Sequence, residues 1–182
     1  MTTRFLYFAG SDLSPAELSA ARLDGHIVEV GEAYMPFDAV ETAELRARSL
    51  SAVAPPSLTI SHLSAAWVHG GRAEPPARHA VCRTESSRLH HVFDRRRVLH
   101  DRAIPAADRA RIGGIWVTTP ARTLADLARS ADEHQRAAAR ALARVAPEAV
   151  APALAWIEAR ERLPHRRRAS ALLTALASVR RT

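Results

Sequence analysis

"IGGIWVTTPARTLADLAR", residues 112–129, decides the fold, because it passes from one backbone periodicity to another within a short span. Ile115, Trp116, Val117 and Thr118 are β-branched or aromatic and favour a strand. Thr119 then offers an N-cap oxygen, Pro120 suits the first helical position, and Ala121, Leu124, Ala125 and Ala128 recur at helical spacing as an inward stripe. A strand running directly into a capped helix puts sheet and helices in one fold. Arg122 and Asp126 stand four apart beside that stripe, and two readings stay open. One is a surface ion pair worth about 0.2 to 0.5 kcal/mol. The other buries Arg122 in part and makes it, with Thr119 and Asp126, the organiser of the junction between sheet and helices.

Upstream, "RHAVCRT", "LHHVF" and "RVLH" read as strands, so residues 77–119 form a small sheet. Downstream, residues 120–182 are helical almost throughout, broken at Pro147, Pro152 and Pro164. Near the N-terminus, Ser14 caps a helix that opens with Pro15, has Glu17 three residues after the cap and stops at Asp24 and Gly25. "HIVEV" and "EAYM" follow as a hairpin turning at Gly31 and Glu32. Helix, tight turn and hairpin make the back half of a winged helix. Residues 41–53 read as an amphipathic helix with Ala43, Leu45, Leu50 and Val53 inward, "SLTIS" as a short β-run, and Ser61 as the cap of a helix closed by Gly70 and Gly71. The expected fold is α+β: a degenerate winged helix-turn-helix over 1–38, then an α/β domain over 39–182. The latter divides into a helical linker (39–71), a small sheet (77–119) and a helical tail (120–182), with Pro75 and Pro76 marking the change of texture.

Composition narrows the function. The chain has 182 residues, 47% apolar and 25% charged, and no apolar run approaches the ~20 residues of a membrane helix. Its N-terminus lacks the pattern of a secretory signal, so a cytoplasmic location and no membrane partner are expected. All 26 basic side chains are Arg, and the net charge is +7. Residues 1–70 hold four Arg against eight acids, whereas residues 71–182 hold 22 Arg against 11, so any attraction for polyanions belongs to the second part.

Enzyme and metal readings find little support. Cys82 stands alone. His62 and His69 fall on one side of a helix but about 10.5 Å apart along it, and His90 and His91 point to opposite faces of a strand. Gly113 and Gly114 lack the Lys and further glycines of a phosphate loop, and no G-x-S-x-G elbow occurs. No metal, no cofactor and no catalytic residue is expected. Three Arg clusters remain: Arg95, Arg96 and Arg97; Arg166, Arg167 and Arg168; and Arg180 with Arg181. Each reads either as solvated charge or as a phosphate contact, the second cluster sitting at a helix start where an anion would offset the dipole.

"GGIWVTTPARTLADLAR", "TISHLSAAWVHG" and "LSPAELSAARLDGHIVEVGEAYMP", in this chain order, resemble the AbiEi antitoxins of type IV toxin-antitoxin systems, particularly actinobacterial members. The resemblance covers most of residues 11–130. It implies an N-terminal winged helix that binds operator DNA and represses its own operon. It also implies a C-terminal domain that counters a nucleotidyltransferase-like toxin, in general without a stable direct complex. Carried onto this chain, the recognition helix spans 15–24 and the wing 26–35, with Arg22 and His26 as DNA contacts and Ser14 and Ser19 in reach of phosphates or base edges. The module is nonetheless acidic, with Glu17, Asp24, Glu29 and Glu32. DNA binding would then rest on Arg95, Arg96, Arg97, Arg166, Arg167 and Arg168, with a homodimer setting two basic surfaces along a duplex. The alternative is an interaction or scaffold protein that has lost DNA binding.

Overall fold

A computed structural model describes residues 6–11, 13–85 and 94–178. The fold is α+β, with seven α-helices, a two-stranded and a five-stranded sheet among these residues. "LHHVF" and the pair Arg180 and Arg181 lie outside the described residues, and so do His90 and His91.

Helix α1 (Pro15–Leu23) starts where its capping box dictates. The Ser14 amide donates to the Glu17 carboxylate at 2.8 Å and the Glu17 amide donates to Ser14 Oγ at 3.2 Å. Only Leu18 of this helix is buried. Strands β1 (Ile27–Val30) and β2 (Ala33–Pro36) pair as the expected hairpin about Gly31 and Glu32, and Tyr7 bridges to Tyr34 along its outer edge. No second helix precedes the hairpin among the described residues.

Helix α2 (Ala43–Ser49) is shorter than its sequence pattern. The chain leaves the helix at Leu50, and two turns tuck Leu50 and Val53 into the core, while Ala43 is exposed and Ala47 takes the inward place. Strand β3 (Leu58–Ile60) and helix α3 (His62–Val68) follow. β3 lies inside the span read as a helical linker, yet it is the middle strand of the large sheet. That span thus supplies both a strand and a fully packed helix.

Strands β4 (His79–Arg83), β5 (Arg97–Ala103), β6 (Arg109–Ile112) and β7 (Ile115–Thr118) complete the sheet in the order β5-β4-β3-β7-β6. β3 runs antiparallel to β4 and parallel to β7, and β4 runs parallel to β5. β6 pairs antiparallel with β7 through a two-residue turn in which Gly113 and Gly114 have φ of 55° and 84°. Two successive left-handed residues match the twist of a hairpin, which is why Gly-Gly here marks a turn between strands and not a single strand.

Helix α4 (Pro120–Ala128) leaves β7 with Thr119 Oγ1 capping the Arg122 amide at 3.2 Å. Helices α5 (Glu133–Val145), α6 (Val150–Glu158) and α7 (Arg166–Ser178) pack around it. Two cores result. The first joins the hairpin and α2 to the sheet through Val30, Met35, Leu50, Val53, Ile60, Val81 and Val117. The second is helical, built on Leu124, Leu127, Leu142, Ile157 and Leu173. α3 serves both, giving Ala65, Trp67 and Val68 to the first and Ala66 to the second.

Candidate functional site

α4 is buried from Arg122 to Ala128, charged residues included, so the ion pair of its sequence is not a surface pair. Arg122 is 2% exposed and Asp126 4%. The Arg122 guanidinium donates from Nε to Asp126 at 2.8 Å and from Nη1 to Asp108 at 2.6 Å, Asp108 coming from a short 3-10 turn (Ala106–Asp108) between β5 and β6. The second reading of this pair, burial at the junction, is the one observed. Asp126 also accepts from Arg102 on β5 and from Arg129, each at 3.3 Å, and Asp108 accepts from Trp156 Nε1 at 3.0 Å. Burial opposes the charge on Arg122, but the two carboxylates outweigh it and hold its pKa above the usual arginine value. Arg129 goes the other way: burial and the neighbouring guanidinium groups lower its pKa despite Asp126.

The hub ties four parts of the chain together: the strand β5, the turn before β6, helix α4 and, through Trp156, helix α6. Arg122 lies over the Trp156 ring at 4.6 Å and Arg160 lies over it at 3.7 Å. Sequence reading found Arg122 and Asp126 but not Asp108, Arg102, Arg129 or Trp156, since sequence separation gives no sign of which distant acid a buried Arg will meet. The readable signal was an Arg and an Asp beside a helix stripe too apolar to leave them much water.

Beside the hub, Ser61 stands at the N-cap of α3 but makes no capping hydrogen bond. Its hydroxyl instead meets His62 Nδ1 at 3.0 Å and accepts from the Cys82 thiol at 3.4 Å. His62 has a left-handed backbone (φ 47°) and stacks on His100 at 4.0 Å. Burial pushes the His62 pKa down to about 4, with Asp126 opposing, and burial lowers His100 as well. Burial raises the Cys82 thiol, which leaves it a poor nucleophile. Among the described residues no three His, Cys, Asp or Glu side chains are grouped so as to hold a metal ion.

The residues expected to meet DNA are scattered. Ser14, Ser19, Arg22 and His26 are all exposed, but the Ser14 hydroxyl is engaged by the capping box and Arg22 pairs with Glu29 at 3.2 Å. Arg96 pairs with Asp94 and with Glu32, both at 3.0 Å, and Arg97 lies 3.5 Å from Asp94. Hydrogen bonds from Arg96 hold the Asp94 pKa down, and Asp94 with Glu32 raises that of Arg96. Two of the three basic residues in that run are therefore neutralised from within, while Arg95 is exposed. Arg166 opens α7 and donates to the Glu158 carbonyl at 3.2 Å, with Arg167 and Arg168 exposed. Glu32 has a second role: its other oxygen lies 3.3 Å from Nε2 of the buried His79, which clips the hairpin tip to the sheet.

Comparison with known proteins places this architecture. No match is found among curated proteins. The family model described as the AbiEi antitoxin C-terminal domain matches residues 59–176, from the middle strand β3 through α7, and so takes in the whole Arg122 hub. With about two thirds of its length accounted for by that domain, this chain belongs to the AbiEi antitoxin family, and its role is that of the antitoxin in a toxin-antitoxin pair.

Proposed function

We propose that the protein is a non-enzymatic type IV antitoxin that binds its own promoter DNA, represses its operon and counters a nucleotidyltransferase-like toxin without a stable complex. The AbiEi domain over residues 59–176 supports the antitoxin half. The observation that carries the DNA half is the charge asymmetry, with 22 Arg against 11 acids in residues 71–182. On this reading the helix–hairpin module plays the part of a winged helix, exposing Ser19, Arg22 and His26, while exposed Arg95, Arg167 and Arg168 add phosphate contacts, in a homodimer on duplex DNA. The test is a shift of the protein's own promoter fragment over a salt series. Binding that weakens steeply with salt is expected, and no binding above background at low salt sinks the regulator half.

A second reading keeps the antitoxin role and drops DNA: a protein-interaction or scaffold function. It is favoured by the acids on the first module, where Glu29 already occupies Arg22. Toxin rescue in cells by a protein that shifts no promoter DNA would establish it.

A further inference from the structure

The chain has three Trp, and one of them, Trp67, is a core residue. The other two are half-buried and each is stacked by two guanidinium groups. On the edge hairpin, Arg111 stands directly opposite Trp116 and Arg109 two residues along, which puts all three side chains on one face. Arg109 lies 4.9 Å and Arg111 5.3 Å from the Trp116 ring centre. On α6, Trp156 carries Arg160 at 3.7 Å. Trp156 Nε1 donates to Asp108, the residue before Arg109, but successive residues of an extended backbone point to opposite sides, so only the hairpin trio shares a face.

These three Arg differ from Arg96 and Arg97 in one respect. Arg109 donates to the Ile104 carbonyl at 2.9 Å, Arg111 to the Gly114 carbonyl at 2.8 Å and Arg160 to the Trp156 carbonyl at 2.8 Å. Each is aimed by a backbone oxygen and an aromatic face, and none forms a salt bridge with a carboxylate among the described residues. Nε of Arg109 is closed off from solvent and has no acceptor among them. The hairpin face thus keeps two positive charges on side chains already restrained in direction, which lowers the entropy cost of meeting a partner.

We propose that the hairpin face formed by Arg109, Arg111 and Trp116 is a nucleic-acid contact, its guanidinium groups on phosphates and the exposed part of the indole against sugars. The proposal rests on the DNA reading above and relocates its main contact. Charge alone would suit an acidic protein equally; the partly exposed Trp116 beside two guanidinium groups adds the combination of positive charge and aromatic surface that nucleic-acid grooves use.

The experiment uses the full chain and a labelled promoter duplex, with single-stranded DNA of the same length in parallel, read by fluorescence anisotropy across salt concentrations. Arg109→Ala with Arg111→Ala is compared with Arg136→Ala and Arg140→Ala on α5, which remove the same charge from side chains that already pair with Glu133. The first pair should weaken binding at least tenfold and flatten the logarithmic salt slope by ~1 for each phosphate left unneutralised, the second less than threefold. Arg111→Gln alone, a milder change on an exposed side chain, should still weaken binding severalfold. Intrinsic fluorescence should be quenched by DNA in the wild type and much less in Trp116→Phe. If the two double variants bind DNA equally, the face is not the contact, although the DNA reading survives. If the wild type binds neither DNA, both fall. If Arg109→Ala with Arg111→Ala keeps full DNA affinity but loses toxin rescue, the face serves a protein and the proposal is overturned.

Discussion

Arg122 shows how context inverts the energetics of a side-chain pair. At a helix surface an Arg and an Asp four residues apart contribute a few tenths of a kcal/mol. Here the same pair is closed off from water, and a second carboxylate has been drawn in at 2.6 Å. Removing one member of such a buried group strands the others without solvent or counter-charge. Arg122→Ala should therefore cost about 3 to 5 kcal/mol in urea unfolding. Arg122→Lys should also be costly, because a single ammonium cannot serve Asp108 and Asp126 together as the forked guanidinium does. A loss below about 1 kcal/mol for the Ala variant would show that the hub is not a structural keystone.

At the scale of elements, the β6–β7 hairpin turns on two glycines with unlike surroundings. A Cβ on Gly113 would stand 2.5 Å from the Glu44 carbonyl and 2.6 Å from Arg48 Cγ, whereas one on Gly114 would meet nothing within 4 Å. Gly113→Ala combines a left-handed backbone with a clash against α2 and should lose about 1 to 3 kcal/mol. Gly114→Asn, at a position where Asn tolerates the conformation, should stay within about 0.5 kcal/mol in the same melts. The hairpin also shows what the sequence made readable. Caps and turns were legible at Ser14, Thr119 and the Gly31–Glu32 turn because they are written in adjacent residues. β6 was not, since the alternation of "RARI" spans only four residues and sets no more than an Ala and an Ile against its two Arg. Nor was the central place of β3, a three-residue strand whose importance comes from its neighbours on either side. The site was legible as two residues of a larger group, for the same reason: partners at long sequence separation are set by the packing of helices on the sheet, which local pattern does not encode.

For the molecule as a whole, the buried imidazoles set a direction for acid sensitivity. Burial lowers the pKa of His62, His79 and His100 alike, His62 to about 4. In the unfolded chain these rings take up protons near pH 6.5, so between that value and the folded pKa the unfolded state binds more protons. Stability is then full above about pH 6.5 and falls as pH drops through the folded values, for His62 down to about 4 and by up to about 1.4 kcal/mol per pH unit. His62→Asn, which suits the left-handed backbone, should remove part of that slope. Urea midpoints measured at pH 7.5 and 5.0 check this, and equal midpoints for the wild type would refute it.

The helix α3 gives both cores a common wall, and the strand β3 beside it lines the first. The family match begins at Thr59, within β3, and leaves out Val30, Met35, Leu45, Leu50 and Val53, which close the first core. A chain cut at that point would present Ile60, Trp67, Val81 and Val117 to water as a bare apolar face. The stretch that carries the ancestry of this antitoxin and the stretch that can hold itself dry are therefore different lengths of the same polypeptide, and an exchange of the N-terminal module must deliver a replacement roof along with any new specificity.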